Sequence, residues 1–258
     1  MTSPNSILFL GTGTSVGIPM VGCTCKVCLS SDHKDNRLRT SALVRIQNKN
    51  IQIDIGPDFR YQMLRNNILD LTAILLTHDH RDHVAGLDDL RAFNFIHEKK
   101  YDIYANSETI EGVKAQFGFI FTNQLYKSKA QFELIDIEKY KPFEIENITI
   151  VPIEITHGTQ SILGFRFNEL TYITDASKID AIALEKIKGT KILVLNALRE
   201  TVHPTHFSLS QALEIIDIIK PEKTYLTHIS HHLGLHLDIS KKLPANVFLA
   251  YDQLEVSF

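Results

Sequence analysis

The chain has 258 residues, 44% hydrophobic and 22% charged, with a net charge of -3. This composition excludes disordered and collagen-like chains. The slight negative charge gives no whole-molecule attraction to nucleic acid or to an anionic membrane. No stretch approaches the roughly 20 apolar residues of a membrane span, so no membrane partner is expected.

In chain order, "SILFL" reads as a first strand, followed by the glycine-interrupted "GTGTSVGIPMVG". No Lys or Arg precedes this run, so it does not read as a signal peptide. Cys23, Cys25 and Cys28 follow within six residues. An odd, clustered set makes no disulfide framework, and a reducing, cytoplasmic setting is expected. Strands are then predicted at "SALVRI", "IQIDI", "LTAILLT", "YDIYA", "ITIVPIEI", "LGFRF", "LTYIT", "KILVLNA", "KTYLTHI", "NVFLAY" and "LEVSF". Helical periodicity fits 84–96, 107–117, 180–187, 208–219 and part of 232–243. No repeat or linker interrupts the chain, which reads as one domain over 1–258. Neighbouring early strands and later strands alternating with helices predict two mixed sheets packed together with helices outside, an αββα sandwich. Segment 97–145 carries no motif and is expected to form a lid or an interface, and a homodimer is allowed.

The polar clusters share one position: each follows the end of an apolar strand. In "THDHRDH", His78 and His80 stand two apart, and on an extended segment they point the same way and grip one cation. A turn then brings Asp82 and His83 round to a second cation. Imidazole with carboxylate suits zinc, manganese or iron. "CTCKVC" offers three thiolates at zinc-site spacing without a fourth ligand nearby. The fourth is sought in "HISHHLGLH", where His231 lies one short turn beyond His228; His232 and His236 are expected to be dispensable for stability. His206 in "HPTHFSLSQAL" stands by a helix start that Ser208 would cap. His203 is expected in a solvated loop.

The run H-x-H-x-D-H before "VAGL" resembles the metallo-β-lactamase superfamily, whose fold is an αββα sandwich. The likeness covers nearly the whole chain, because "EITHG", "YITDAS" and "YLTHIS" follow in the family order. It implies that His78, His80 and His157 hold one metal, that Asp82, His83 and His228 hold the other, and that Asp175 bridges the two. It also implies that Asp54, in "IDIGPDF", orients a ligand histidine. An aspartate at 175 is similar to the phosphodiesterases and nucleases of the superfamily, where its β-lactamases place cysteine.

"GTGTSVGIP", "GCTC" and "LTHISH" resemble a narrower branch, the PhnP-type phosphoribosyl cyclic phosphodiesterases, and also PqqB-type proteins. That likeness implies a structural zinc held by Cys23, Cys25, Cys28 and His231, besides two divalent active-site metals, zinc or manganese with iron admitted. It implies as well that His206 serves the leaving group, with Asp82 beside it in the catalytic set. "LNALRE" departs from the branch pattern, so the ester is left open, and Arg199 meets either a phosphate or solvent. The expected activity is hydrolysis of a small phosphate diester, which the resemblance implies is a cyclic ribose or nucleotide phosphate; the rivals are a tRNA 3′-processing endonuclease and a PqqB-like carrier without hydrolysis. Absence of a long basic arm and the negative charge argue against a nucleic-acid partner.

Overall fold

The structure is a computed structural model that describes residues 4–122 and 128–258. Residues 123–127, within the expected lid or interface segment, lie outside the described residues. Two seven-stranded sheets are present among the described residues. In spatial order the first runs β14 (Glu255–Ser257), β1 (Ser6–Gly11), β2 (Ser41–Ile46), β3 (Lys49–Ile53), β4 (Ala73–Leu75), β5 (Tyr101–Ala105) and β6 (Phe132–Asp136). The second runs β13 (Val247–Leu249), β12 (Lys223–Thr227), β11 (Ile192–Asn196), β10 (Leu170–Tyr172), β9 (Gln160–Phe167), β8 (Ile148–His157) and β7 (Phe143–Ile145). Each sheet is mixed. From β1 to β3 and from β7 to β10 the pairing is antiparallel, whereas β3 to β6 and β10 to β13 pair in parallel.

Strand alternation explains the layering. Ile7 and Phe9 of β1 join Leu75, Phe165 and Val194 between the sheets, while Leu8 and Leu10 face the opposite way. A strand buried on both faces needs cover on both faces. Leu8, Leu10, Ile74 and Ile103 pack under α1 (Phe59–Arg65), α2 (Arg81–Val84), α3 (Leu90–His97), α4 (Ser107–Gln116) and α5 (Gly118–Phe121). Leu193, Leu195 and Leu226 pack under α6 (Ala181–Ile187), α7 (Leu209–Ile219) and α8 (His236–Ser240). The result is the expected αββα sandwich. Among the described residues no helix is long and apolar enough to cross a membrane.

The differences from the sequence expectation are local. The periodicity over 84–96 is not one helix: α2 ends at Val84, and a 3-10 turn at Leu87–Asp89 precedes α3. Gly86 lies so close to the Gly56 carbonyl that a β-carbon there would overlap it, and this crossing interrupts the helix. Helix α1 went unseen because its apolar pair, Phe59 and Met63, makes only one repeat of the helical period. Strands β6 and β7 went unseen because they are edge strands, largely half-exposed, whose alternation is weak. Over 232–243 only His236–Ser240 is helical.

Helix α7 starts as expected. Ser208 Oγ accepts from Gln211 N, and Gln211 Oε1 accepts from Ser208 N at 3.0 Å, a reciprocal capping box. We expect Ser208→Ala to cost about 1 kcal/mol, lowering the melting temperature by about 2–4 °C for a chain of this size. Calorimetry should show Gln211→Ala adding little in the Ser208→Ala background, since both changes break one device.

Candidate metal centre

The side chains of the cluster sit where strands end. Asp54 follows β3, His78 follows β4, His157 closes β8, Asp175 follows β10 and His228 follows β12. These strands run parallel or close together in the two sheets, so their carboxyl ends line one rim of the sandwich. At that rim the backbone of Asp54 (φ 59°), Asp175 (φ 58°) and His228 (φ 53°) is left-handed. Such residues cost roughly 1–3 kcal/mol each, less for aspartate than for most side chains. The left-handed step turns each side chain out of its strand and into the cluster.

His78, His80 and His157 bring one nitrogen each within 4.8 Å of the others, and so do the donor atoms of His78, His83 and Asp175. Asp82 Oδ2 lies 3.3 Å from His83 Nε2, and Asp175 Oδ2 lies 3.4 Å from the same atom. His228 Nδ1 is 3.2 Å from Asp175 Oδ2, and His206 Nε2 is 3.0 Å from Asp175 Oδ1. The geometry therefore gathers every residue read from the sequence as a ligand of the pair, with His206 beside them. Asp175 is the residue that neighbours both halves.

Hydrogen bonds select the ring nitrogens that face the centre. His83 Nδ1 donates to Asp54 Oδ2 at 2.7 Å, and His157 Nδ1 donates to the Thr205 carbonyl at 2.8 Å. Thr77 Oγ1 donates to Asp54 and accepts from His78 Nδ1 at 2.9 Å. Each bond leaves Nε2 with its lone pair turned to the cluster. Among the described residues, His78 Nε2, His83 Nε2 and His228 Nδ1 are buried without a hydrogen-bond partner. A buried polar atom left in that state costs about 1–3 kcal/mol. Orphaned nitrogens converging with ionised carboxylates are the donor set that divalent cations need, so the residues fit the group.

Charge agrees with this. Burial alone would raise the Asp175 carboxyl, but His228, His83 and the His206 hydrogen bond hold it well below the usual carboxylate range. Burial, reinforced by neighbouring imidazoles, pushes His78 well down and His228 down to about 4, which keeps both rings neutral. His83 is the exception. Burial would lower it, yet Asp82, Asp175 and Asp54 surround it and raise it well above the usual imidazole value.

The second cluster is equally compact. Cys23, Cys25 and Cys28 place Sγ at 3.3, 3.4 and 3.5 Å from His231 Nδ1. A tetrahedral zinc with Zn–S about 2.3 Å and Zn–N about 2.0–2.1 Å implies S···N edges of about 3.5 Å. Cys25 Sγ accepts from Cys28 N, and that bond leads the causes that bring its thiol down to about 6. Burial takes the Cys28 thiol up to about 11.

Two peripheral residues, His203 and His236, differ from expectation. His203 is not simply a solvated loop residue, because its Nδ1 lies 3.2 Å from Thr205 Oγ1 and 3.3 Å from His206 Nδ1. Arg199 donates to the carbonyls of Thr201 and Val202, so its guanidinium serves its own loop. His236 is not dispensable in packing. Its Nδ1 accepts from the buried Arg37 at 3.2 Å, and its backbone N donates to Asp35. Sequence reading also missed Asn196, fully buried, which holds the Asp175 turn through Ala176 N (2.7 Å) and Ala176 O (3.0 Å).

A family model for the Beta-lactamase superfamily domain matches residues 49–229. The chain belongs to the metallo-β-lactamase superfamily of metal-dependent hydrolases, and within it resembles the PhnP type. A solved diphosphatase from the PhnP family superposes with a TM-score of 0.92 at 39% identity, covering 98% of each chain. The octanoyltransferase of Porphyromonas gingivalis is 38% identical over 250 residues, which are 96% of this chain and 50% of that protein. The ribonuclease Z of Saccharolobus islandicus is 30% identical over 197 residues, 75% of this chain and 58% of that protein. The chain thus spans about half the length of these curated relatives.

The Arg37 contact generates a stability prediction. Burial and the neighbouring Arg37 push His236 down to about 4, so it is a neutral acceptor for the guanidinium. We expect His236→Ala to cost about 1–3 kcal/mol by leaving a buried donor unpaired, whereas His232→Ala, at an exposed ring, should not move the melt. Equal melting temperatures for the two variants would contradict the Arg37 contact.

Proposed function

We propose that the chain is a binuclear metal-dependent hydrolase of a small phosphate diester, a cyclic ribose or nucleotide phosphate being the class the site suits. One observation carries this reading: a buried, ionised Asp175 lies between two sets of imidazoles whose free nitrogens point inward. Its place between both sets is what a phosphoryl-transfer pair requires. His78, His80 and His157 would hold one cation, Asp82, His83 and His228 the other, and Asp175 both. Bound there, the cations would supply Lewis-acid charge to the phosphoryl oxygens and activate the attacking water.

The chain's own residues do the rest. Asp54 and Thr77 keep His83 and His78 in one tautomer, and the Thr205 carbonyl does the same for His157. His206 sits at the rim: Thr205 Oγ1 lies 2.8 Å from its Nδ1, and its Nε2 lies 3.0 Å from Asp175 Oδ1. From there it is placed to protonate a departing oxygen. Cys23, Cys25, Cys28 and His231 would hold a structural zinc, and reduced clustered thiols accord with a cytoplasmic setting.

Two observations favour second readings. The 39% identical relative is a diphosphatase, which makes a phosphoanhydride the competing substrate. His157, Asp175 and His206 also form a set that a cation fits, which would make His206 a ligand. The ribonuclease Z likeness points to RNA, but the net charge of -3 provides no electrostatic support for a polyanion.

Elemental analysis of fully loaded protein should give three metals per chain; no more than two, with every cysteine titrating freely in the native state, would remove the structural zinc. Asp175→Ala should lose activity by at least about a hundredfold at saturating metal. Turnover near that of the parent would refute the binuclear assignment.

His206→Ala separates the leaving groups. An alkoxide needs a proton and p-nitrophenolate leaves without one, so hydrolysis of a ribose cyclic phosphate should fall far more than that of bis(p-nitrophenyl) phosphate. Equal losses on both would favour positioning or cation binding by His206. Higher parent turnover on a sugar or nucleoside diphosphate than on any diester would favour the anhydride.

A further inference from the structure

We infer that α4 is the positioning element for His80, acting through Gly112 and Gln116. The inference rests on the reading of His80 as a cation ligand. His80 is unlike the other histidines of its cluster. His78 and His157 are buried and each has a partner on Nδ1, whereas His80 is exposed and its ring makes no hydrogen bond among the described residues. Neither burial nor a side-chain partner fixes it. Its place is set by the backbone on either side.

On the far side His80 is tied into α2, where its carbonyl accepts from His83 N at 2.9 Å and from Val84 N at 3.1 Å. On the near side the chain is Asp79, and Asp79 lies against α4. Gln116 Nε2 donates to the Asp79 carbonyl at 2.7 Å. Among the described residues Gln116 Oε1 is buried without a partner, and the bond to Asp79 is the one hydrogen bond of the amide. Four residues earlier on the same face of α4 stands Gly112. A β-carbon at Gly112 would overlap the Asp79 carboxylate and come within 2.7 Å of Asp79 Cβ. Turning the carboxylate away would not relieve the second contact, so the backbone of Asp79 would have to move, and His80 with it.

The helix is a firm support. Asn106 caps it through Thr109 N at 2.9 Å, and Ile110 and Val113 are buried in the core between the helices and the first sheet. Glycine inside a helix costs about 1 kcal/mol relative to alanine. Here the close approach of the His78–His80 loop gives that cost a reason. A stretch without a motif, in the segment expected to be a lid, thereby acquires a role in the centre: it is the wall against which the exposed ligand is set.

The test reads cation binding rather than turnover. The parent, Gly112→Ala, Gln116→Leu and the double variant Gly112→Ala/Asp79→Gly are stripped at the histidine–carboxylate cluster and titrated with Co2+. Calorimetry and the visible absorption of Co2+ report occupancy, and zinc retained at the cysteines serves as an internal control. We expect Gly112→Ala to weaken the cation held by His78, His80 and His157 by about 10–100-fold, as for outer partners of metal ligands. Zinc at the cysteines and the melting temperature of the stripped protein should stay close to the parent. The double variant, which removes the overlapping side chain, should recover most of the loss, and Gln116→Leu should weaken the same cation.

Parent-like Co2+ binding by both single variants would overturn the inference while leaving the binuclear reading intact. A parent that binds no Co2+ at the cluster would overturn both. If Gly112→Ala fails to fold, Gln116→Leu decides alone: selective loss supports the role of α4, and unchanged binding refutes it.

Discussion

Asp54 is fully buried, and each of its carboxylate oxygens is committed. Oδ1 accepts from Thr77 N at 2.8 Å, and Oδ2 accepts from His83 Nδ1 at 2.7 Å and from Thr77 Oγ1 at 2.9 Å. Its own carbonyl accepts from Ser41 Oγ and Gln52 Nε2. One residue therefore joins the ends of β2, β3 and β4 to the first turn of α2. An unpaired carboxylate at this depth would cost far more than any single contact returns. Burial raises its carboxyl, and the pairing with His83 opposes that rise. The charge is tolerable only because the site is folded around it, and the tautomers of His78 and His83 follow from the same bonds.

A second regularity runs through the rim. A threonine immediately precedes His78, His157, Asp175, His206 and His228. Thr77, Thr174 and Thr205 place their hydroxyls on the following side chain or its partner, with Thr174 Oγ1 donating to Asp175 Oδ2 at 2.6 Å. Thr156 lies within β8 and Thr227 closes β12, whereas Thr77, Thr174 and Thr205 stand beyond the strand ends, where the chain turns and a hydroxyl can reach the following side chain. Ligands that are far apart in sequence converge because each inherits its direction from a strand end already fixed by the sheet.

This explains what could be read in advance. The twelve predicted strands all appear: β1, β2, β10 and β11 are continuous buried apolar runs, while β5, β13 and β14 keep a clear alternation of buried and exposed residues. The histidines and aspartates of the centre were legible for the same reason, as polar breaks immediately after such runs. His231 was legible from its place one short turn beyond His228 and from the likeness to the PhnP-type branch, and the three Sγ distances agree with it. What escaped depends on contacts between distant segments. Asn196 looks like an ordinary strand-end residue until Ala176 is set beside it. His236 looks like one more histidine in a polar run until Arg37, far back in the chain, is buried against it. Edge strands β6 and β7 escaped because half-exposed positions erase the alternation that marks a strand.

The two clusters are separate in ligands but joined in backbone. His228 faces the carboxylate centre and His231, three residues on, faces the cysteines. Between them Ile229 N donates to the Thr12 carbonyl at 2.9 Å, and Ser230 donates to the Leu198 carbonyl from both N and Oγ. The loop that supplies Thr12 continues to Cys23, Cys25 and Cys28, so both ends of the 228–231 turn are held by one N-terminal segment. Closing so long a loop carries a large entropic cost when the chain folds. The hydrogen bonds of Ile229 and Ser230, with the approach of the three Sγ atoms to His231, oppose that cost at the same turn that carries the left-handed His228.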